Sequence, residues 1–287
     1  MPNALEINGL RKAYKGFTLK DVSFALPEGS IMGLVGPNGA GKTTIIKLIL
    51  NLIARQAGQV KIFGRDNLTE EKAVKGRIGF VHETPALVED VALKDIASAA
   101  APFYPKWDWI AFRSLLAEFD LPPDKKFKKL SHGMKMKFSL ALALSHDADL
   151  LILDEPTSGL DPVFRRELLE KLSGVIQDAR KAVLFSTHIT SDLERTADYI
   201  TLINDGAIVF SSSRDDVRDA WAVVKGGPEI LDPARRSLFK AVLETPYGVD
   251  ALTGDIPAAR SAFPSAVFER ASIEDIMIFL NPGASDD

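Results

Sequence analysis

Residues 36–44 read GPNGAGKTT, in which four residues separate Gly36 from the run Gly41-Lys42-Thr43. Consecutive backbone N–H groups of such a glycine-rich turn form a concave anion site, and a following helix adds its own unpaired N–H groups and positive dipole end. The spacing predicts that Lys42 reaches the β- and γ-phosphates of a nucleoside triphosphate and that Thr43 places its hydroxyl on Mg²⁺. The predicted phosphate-binding loop consists of Gly36, Pro37, Asn38, Gly39, Ala40, Gly41, Lys42, Thr43 and Thr44.

The flanks of this loop decide between a ligand site and a glycine-rich turn that binds nothing. Residues 30–35 form a short apolar run suited to a buried strand, and residues 45–50 can continue as a helix. Because strand, glycine-rich loop and helix is the context that the pattern requires, the flanks favour phosphate binding. The loop alone does not distinguish a kinase, a GTPase and a transport ATPase.

Two carboxylates follow another apolar run. Leu150–Leu153 is continuously apolar, as in a parallel strand buried on both faces, and Asp154 and Glu155 come next. An aspartate at this point can hold the Mg²⁺ that bridges the β- and γ-phosphates. A glutamate one residue later can orient and deprotonate a water that faces the γ-phosphate. The alternative is that both residues cap a strand at the surface, and the phosphate loop upstream favours the catalytic interpretation.

His188 follows the apolar strand predicted at residues 182–187. The carboxyl end of a parallel strand opens on the crevice in which such folds bind ligands, so His188 is predicted to contact a γ-phosphate oxygen. A lone histidine is more often structural, but the strand-end position and the other motifs favour the functional interpretation.

The segment LSHGM at residues 130–134 precedes an apolar stretch that continues through Leu144. Ser131 is a suitable N-cap, and the start of its helix is a candidate for a second anion site. Taken alone, the pattern is more typical of a capped helix with no ligand.

The remaining elements indicate an α/β fold. Residues 86–148 are predicted as a mainly helical insertion, because Phe112, Leu115, Leu116 and Phe119 repeat at the spacing of a core-facing helix. Strands that alternate with helices favour a parallel sheet. Further strands are predicted at residues 5–7, 19–26 and 58–63, with a hairpin over 199–211 around Asp205-Gly206.

The amino-acid composition of the chain changes near residue 223, where Gly and Pro become frequent. We therefore predict one domain over 1–222, with its helical part at about 86–148, and a small accessory region over 223–287. A helix is predicted at 273–280, and the last residues, 282–287, are predicted to fray.

Composition excludes several classes of protein. The chain has 287 residues, a hydrophobic fraction of 46%, a net charge of −4 and no cysteine. The charge does not indicate nucleic acid as a partner, and disulfides and thiol chemistry are excluded. No apolar run approaches the roughly 18 residues of a membrane span, so we expect a soluble chain that contacts a membrane only through another subunit.

Taken together, the motifs resemble the ATP-binding subunit of an ABC transporter. The phosphate loop (the Walker A pattern), LSHGM, LLILDEP, the SGLD segment at 158–161 and His188 follow that family's order over about residues 4–220. FYPKWD at 103–108 and DEPTSGLDPVFRRELL resemble the branch that serves ABC-2 type exporters of peptides and antibiotics. The resemblance implies a RecA-like parallel-sheet core with an N-terminal antiparallel β subdomain and a helical insertion.

The resemblance also implies a second ATP-binding subunit, either an identical chain or a close paralogue, that pairs head to tail with this one. ATP is then held between the phosphate loop of one chain and the LSHGM segment of the other, where Ser131 and Gly133 bind the γ-phosphate. Asp161 spans the interface, and Tyr14 stacks on adenine. ATP and Mg²⁺ are the expected ligands, and hydrolysis drives a separately encoded transmembrane permease from the inner, cytoplasmic face of the membrane.

Three positions depart from the family pattern. Glu83 stands where the family has a glutamine that touches Mg²⁺ or the attacking water, and it is predicted to keep a metal-binding role with an added charge. His132 replaces a glycine and Met134 a glutamine, while Ser131 and Gly133 are kept.

Two other interpretations compete with a transport motor. The first is an ABC-type ATPase that acts on ribosomes or DNA, against which stand the single phosphate loop and the lack of long heptad repeats. The second is a regulatory subunit that binds nucleotide without hydrolysis, against which stands Glu155.

Overall fold

Strands and helices alternate along most of the chain. The computed structural model describes residues 2–85, 87–246 and 248–281, and it divides the chain into two units at the junction between Ser211 and Ser212. The strands of the first unit are β1 (Asn3–Tyr14), β2 (Phe17–Pro27), β3 (Ile31–Val35), β4 (Ala57–Ile62), β5 (Arg65–Asp66), β6 (Ile78–Val81), β7 (Leu150–Leu153), β8 (Ala182–Thr187) and β9 (Tyr199–Asn204). A tenth strand, β10 (Ala207–Ser213), begins in this unit and ends two residues past the junction. The helices of the first unit are α1 (Lys42–Ile49), α2 (Glu71–Lys75), α3 (Leu93–Ala100), α4 (Trp109–Glu118), α5 (His132–Leu144), α6 (Pro162–Val175) and α7 (Thr190–Thr196).

A six-stranded sheet in the order β10-β9-β3-β8-β7-β6 forms the centre of this unit. Every residue of β3, β7 and β8 is buried, because these apolar runs are covered on both faces, and the sheet pairs from β9 to β6 are parallel. The register sets Val35 beside Thr187 and Leu153 beside Phe185. The carboxyl ends of β3, β8, β7 and β6 therefore meet at one edge of the sheet, and the α/β prediction is confirmed.

A second, antiparallel sheet in the order β2-β1-β4-β5 forms the predicted N-terminal β subdomain. The strands predicted at 5–7 and 19–26 were too short, since β1 has 12 residues and β2 has 11. Their exposed faces carry charged side chains, and β1 has register shifts after Asn3, Ile7 and Leu10, so the period of two is interrupted along the sequence.

Three helices, α3, α4 and α5, lie within the segment predicted to be helical. Phe112, Leu116 and Phe119 are buried, and the Phe112 and Phe138 rings of α4 and α5 lie 6.4 Å apart. Asp108 caps α4 by accepting hydrogen bonds from Ile110 N and Ala111 N. These contacts explain the helical spacing of apolar residues in this stretch.

The second unit contains α8 (Arg214–Ala220), β11 (Ala222–Gly226), β12 (Ala241–Thr245), β13 (Gly248–Thr253), α9 (Ile256–Ala262), β14 (Val267–Arg270) and α10 (Ile273–Leu280). Its antiparallel sheet has the order β12-β13-β11-β14 and its own apolar core, which includes Val224, Phe239 and Phe263. The helix predicted at 273–280 is α10, begun by a capping box between Ser272 and Asp275. The sheet was not predicted, and the prediction for residues 282–287 lies outside the described residues. In the described ranges, no helix has the length and apolar character that crossing a bilayer requires.

Candidate active site

A cleft of about 460 Å³ opens at the carboxyl edge of the parallel sheet. It brings together residues that follow β3, β6, β7 and β8, which are neighbours at this edge although they are distant in sequence. The residues that line it are Phe17, Asn38, Gly39, Gly41, Lys42, Thr43, Thr44, Glu83, Glu155, Ser158 and His188. The sheet order thus collects the phosphate loop, Glu83, Glu155 and His188 into one site.

The phosphate loop has a backbone that favours glycine at two positions. Gly39 has φ +79° and Gly41 has φ +115°, both in the region that L side chains rarely adopt. Gly41 is also the residue that precedes α1, so the helix begins at Lys42 and its first N–H groups belong to the loop. The sequence prediction of strand, loop and helix is confirmed here.

Lys42 is held by three oxygen atoms and is almost fully buried. Its Nζ donates to Gly36 O at 2.7 Å and to Pro37 O at 3.3 Å, and it lies 3.2 Å from Glu155 Oε1. Because a buried ammonium needs such partners, its position in the cleft is fixed. The cation and the carboxylate of Glu155, both 6% exposed, form one buried pair at the lining of the cleft.

Asp154 presents one engaged and one unengaged carboxylate oxygen. Oδ1 accepts from Ser186 Oγ at 2.6 Å and from Thr43 Oγ1 at 3.3 Å. Oδ2 is buried and has no hydrogen-bond partner within the described residues. Since a buried carboxylate oxygen normally has a partner, this atom identifies a position where a cation fits.

Glu155 has an unusual backbone and two contacts to the residue after β8. Its φ is +47°, in the left-handed region that costs a residue with a side chain about 1 kcal/mol or more. Its Oε2 lies 2.8 Å from His188 Nδ1 and 3.3 Å from His188 N. Glu155 N donates to Ser186 Oγ at 2.9 Å, so β8 positions both ends of this residue.

The residues predicted to act across a dimer lie outside the cleft lining, within the part of the chain that is described. Ser131 is exposed and caps α5 by accepting from Met134 N at 3.3 Å, as predicted, while Gly133 is half-buried. Asp161 is exposed, and its Oδ1 accepts from Val163 N and Phe164 N at the start of α6. Tyr14 is 46% exposed at the end of β1.

Three residues at the site were not predicted. Phe17 lines the cleft and pairs across the strands with Tyr14, and the signal in the sequence was an aromatic residue on each side of the Lys15-Gly16 turn. Ser158 lines the cleft just after the DEP segment. Ser186 bonds both Asp154 and Glu155 N, a role that only the pairing of β7 with β8 reveals.

Comparison with known proteins agrees with this geometry. The family model described as "ABC transporter" matches residues 19–158. The lantibiotic transport ATP-binding protein SrtF of Streptococcus pyogenes is 32% identical over 220 residues, which is 74% of this chain and 91% of that protein. The Nod factor export ATP-binding protein I of Rhizobium johnstonii is 32% identical over 71% of this chain and 68% of its own length. A solved structure of an ATP-binding subunit of an ABC transporter superposes with a TM-score of 0.69 at 31% identity, covering 75% of this chain and 92% of that one.

A phosphate loop at the carboxyl edge of a parallel sheet, with an acidic strand end and a histidine beside it, defines a phosphate-loop nucleoside triphosphatase. The chain belongs to the ABC transporter family of ATP-binding subunits, and as such it binds nucleotide and is an ATPase.

Proposed function

We propose that this chain is the motor subunit of an exporter, which couples Mg–ATP binding, head-to-tail dimerisation and hydrolysis to the work of a separately encoded permease. The observation that carries the proposal is the convergence of Lys42, Asp154, Glu155 and His188 on one cleft or its wall. The printed names of two relatives, a lantibiotic transport protein and a Nod factor export protein, support export as the direction.

The phosphate loop supplies the anion site in this proposal. Residues 36–44 surround the β- and γ-phosphates with backbone N–H groups, and Lys42 adds a positive charge that is already fixed in the lining. The buried pair of Lys42 with Glu155 means that an incoming phosphate competes with the carboxylate for the same cation. Phosphate binding would thereby free Glu155 for the reacting water.

A metal ion fits beside this loop, because the unengaged Oδ2 of Asp154 is buried and the Thr43 hydroxyl lies next to the same carboxylate. Oxygen atoms of carboxylates and hydroxyls suit Mg²⁺, which retains phosphate and water ligands. Thr43 and Asp154 would hold the ion, with Glu83 on the exposed side of the cleft. Bound Mg²⁺ neutralises charge on the β- and γ-phosphates.

Glu155 is the proposed general base. It takes a proton from a water whose oxygen attacks the γ-phosphorus, while the bond from that phosphorus to the oxygen of ADP breaks. His188 orients Glu155 through Nδ1 at 2.8 Å. When the ring is protonated both nitrogens donate, so Nε2 can bind a γ-phosphate oxygen while Nδ1 holds the base.

The second half of the site comes from a second ATP-binding subunit, identical or paralogous. Ser131 and Gly133 at the start of α5 would contact the γ-phosphate held by the partner's phosphate loop, and the exposed Asp161 would lie at the interface. Because ATP then touches both chains, it favours the closed dimer, and hydrolysis removes that preference. Membrane contact is made through the permease, from the cytoplasmic face.

The test replaces the base and the lysine separately. Glu155→Gln is expected to lower turnover at least about 100-fold and to accumulate an ATP-bound dimer, because the amide cannot take the proton. Lys42→Ala is expected to weaken ATP binding itself. Phosphate release, nucleotide affinity and sedimentation of the full chain measure these effects.

Matched controls are Glu170→Gln and Lys72→Ala, which make the same chemical changes at positions on α6 and α2 away from the cleft. Both controls are expected to behave as wild type. Wild-type phosphate release by Glu155→Gln would refute the base assignment, and unchanged ATP affinity of Lys42→Ala would overturn the phosphate-loop assignment.

A further inference from the structure

Asp192 is a buried acidic residue, and the function proposed above gives it no role. It lies on α7 and is 1% exposed. Its Oδ2 accepts from Thr157 Oγ1 at 2.7 Å, and its Oδ1 accepts from Arg165 Nε at 2.7 Å in an ion pair. A carboxylate stays charged at such burial only with partners of this kind. The side chain is therefore a fixed junction between three parts of the chain.

Each part that meets at Asp192 also carries a residue with a role in the proposed function, either in hydrolysis (Glu155 and His188) or at the dimer interface (Asp161). Thr157 comes two residues after Glu155, and Arg165 lies one helical turn after Asp161 on α6. Asp192 itself follows His188 by four residues. Arg165 Nη2 also donates to Ser191 Oγ at 2.8 Å, which adds a second bond between α6 and α7.

The contacts of Asp192 help to hold the strained backbone of Glu155. Its φ of +47° is unfavourable for a residue with a side chain and persists only where the surroundings hold it. Ser186 Oγ holds its N–H on one side, and the bond from Thr157 to Asp192 fixes the chain two residues later. Without that hydrogen bond, the segment after Glu155 loses one of the contacts that hold it in this turn.

We propose that Asp192 is a positioning residue, which holds Glu155 and the SGLD segment at 158–161 in register with His188. The inference rests on the proposed function, since it assumes that Glu155 and His188 act in ATP hydrolysis. Asp192 does not line the cleft, and the loop that it holds starts beyond the phosphate loop. Loss of its charge should therefore impair the chemical step and leave nucleotide affinity intact.

Two variants of different severity test the inference in the full chain. Asp192→Asn keeps the size of the side chain and removes its charge, which leaves Arg165 without a negatively charged partner. We expect kcat to fall at least about tenfold, because small displacements of reacting groups are costly, while the Kd for a fluorescent ATP analogue stays within about twofold. Thr157→Val removes only the hydroxyl, and a fall in kcat of about threefold is expected.

A double-mutant cycle shows whether the two residues act through each other. The cycle uses Asp192→Ala, because an asparagine could still bond the Thr157 hydroxyl whereas alanine removes its partner. Asp192→Ala combined with Thr157→Val is expected to lose no more kcat than Asp192→Ala alone. Thr201→Val is the matched control, because it removes a hydroxyl from a buried threonine that bonds Ser211 Oγ at 2.8 Å away from the cleft. Its kcat and its Kd should both equal those of wild type.

Unchanged kcat in a folded Asp192→Asn protein overturns the inference, and so does a Kd that rises in proportion to the loss of kcat, the mark of general structural damage. Should Asp192→Asn fail to fold, Thr157→Val decides in the same way. The outcome is separable from the proposed function. Full turnover by Glu155→Gln defeats the proposed function, whereas an inactive Glu155→Gln with a fully active Asp192→Asn defeats only the role of Asp192.

Discussion

His132 stands where the family pattern has glycine, and the structure gives its ring a contact within the same chain. Its Nε2 lies 3.3 Å from Ser158 O, at the start of the SGLD segment, and its ring lies beside Gly159. Both the neutral ring with a proton on Nε2 and the charged ring can donate to that carbonyl. The substitution therefore adds a tether between the LSHGM segment and the loop that follows Glu155.

We expect this tether to support turnover. His132→Phe keeps a ring of similar size but removes the donor, so kcat at saturating ATP should fall about twofold to tenfold, the range of one neutral hydrogen bond. His132→Gln retains a donor at the position of Nε2 and should recover most of the loss. Steady-state phosphate release measures both. Equal kcat values for the two variants and wild type would show that the tether has no role.

The second residue-scale prediction concerns the two aromatic residues at the β1–β2 turn. Tyr14 was predicted to stack on adenine, whereas Phe17 is the one that lines the cleft. Stacking of one ring is worth about 1 kcal/mol, so Phe17→Ala and Tyr14→Ala should each weaken ATP binding about fivefold. Binding of inorganic tripolyphosphate, which lacks the base, should not change. A variant that weakens both ligands equally does not contact adenine.

At the scale of elements, Gly33 of β3 lies directly against the buried side chain of Leu193 on α7. A Cβ at Gly33 would lie 1.9 Å from Leu193 Cδ2. Gly33→Ala should therefore lower the free energy of unfolding by about 1–3 kcal/mol, the usual cost of overpacking. The contact matters for the site because β3 leads into the phosphate loop and α7 follows His188.

The matched control for that prediction is Gly174→Ala. Gly174 lies in α6, and outside its chain neighbours and its own helix backbone no described atom lies within 4 Å of the Cβ that it would gain. Alanine favours a helix over glycine by about 0.5–1 kcal/mol, so this variant should be more stable than wild type. Urea denaturation of the two variants measures opposite shifts. A Gly33→Ala protein as stable as wild type would mean that the Leu193 side chain can move aside at little cost.

At the scale of the whole molecule, the sequence predicted the elements whose signal is local. Leu150–Leu153 and the run at 182–187 are continuously apolar, and Asp205-Gly206 has the positive φ angles of a two-residue turn, so their roles followed from pattern alone. Asp154 and Glu155 followed because they end one of these strands. The residues that line the cleft could be predicted from the sequence only where they directly follow a predicted strand.

Other features depend on contacts between distant residues and left no local signal. The second unit's sheet was missed because β12 is only half-buried and β14 is mostly exposed, so neither shows a clear alternation. Ser186 and Asp192 have ordinary sequence surroundings, and their importance comes from partners on other strands and helices. The strands of that sheet and the roles of Ser186 and Asp192 depend on strand register and on burial, which are established only when the fold forms.

His146 makes the stability of the first unit depend on pH. It is buried and stacks on Tyr104 with ring centroids 3.9 Å apart, and burial lowers the pKa of its ring from 6.5 to about 4, with Lys106 acting in the same direction. Asp147 and Asp149 oppose that shift without cancelling it. The folded state thus keeps the ring neutral at a pH where the unfolded chain already binds a proton.

The sign of the effect follows from that difference. As pH falls below 6.5 the unfolded state gains a proton first, so the free energy of unfolding should drop with a slope that rises to about 1.4 kcal/mol per pH unit, reaching a loss of about 3 kcal/mol near pH 4. The carboxyls whose pKa is lowered, such as that of Asp147, titrate further down and lose their contribution below about pH 5. Between pH 6.5 and 5 the effect of His146 therefore comes before that of these carboxyls.

His146→Phe tests the assignment, because phenylalanine can keep the stacking on Tyr104 but has no proton to bind. Its free energy of unfolding should vary less with pH than that of wild type by about 1 kcal/mol per unit, averaged between pH 6.5 and 5. Urea denaturation in a Trp221→Phe background reports on the first unit, since Trp107 lines the same cavity as His146 while Trp221 belongs to the second unit. Parallel curves for His146→Phe and wild type would assign the pH dependence to other groups.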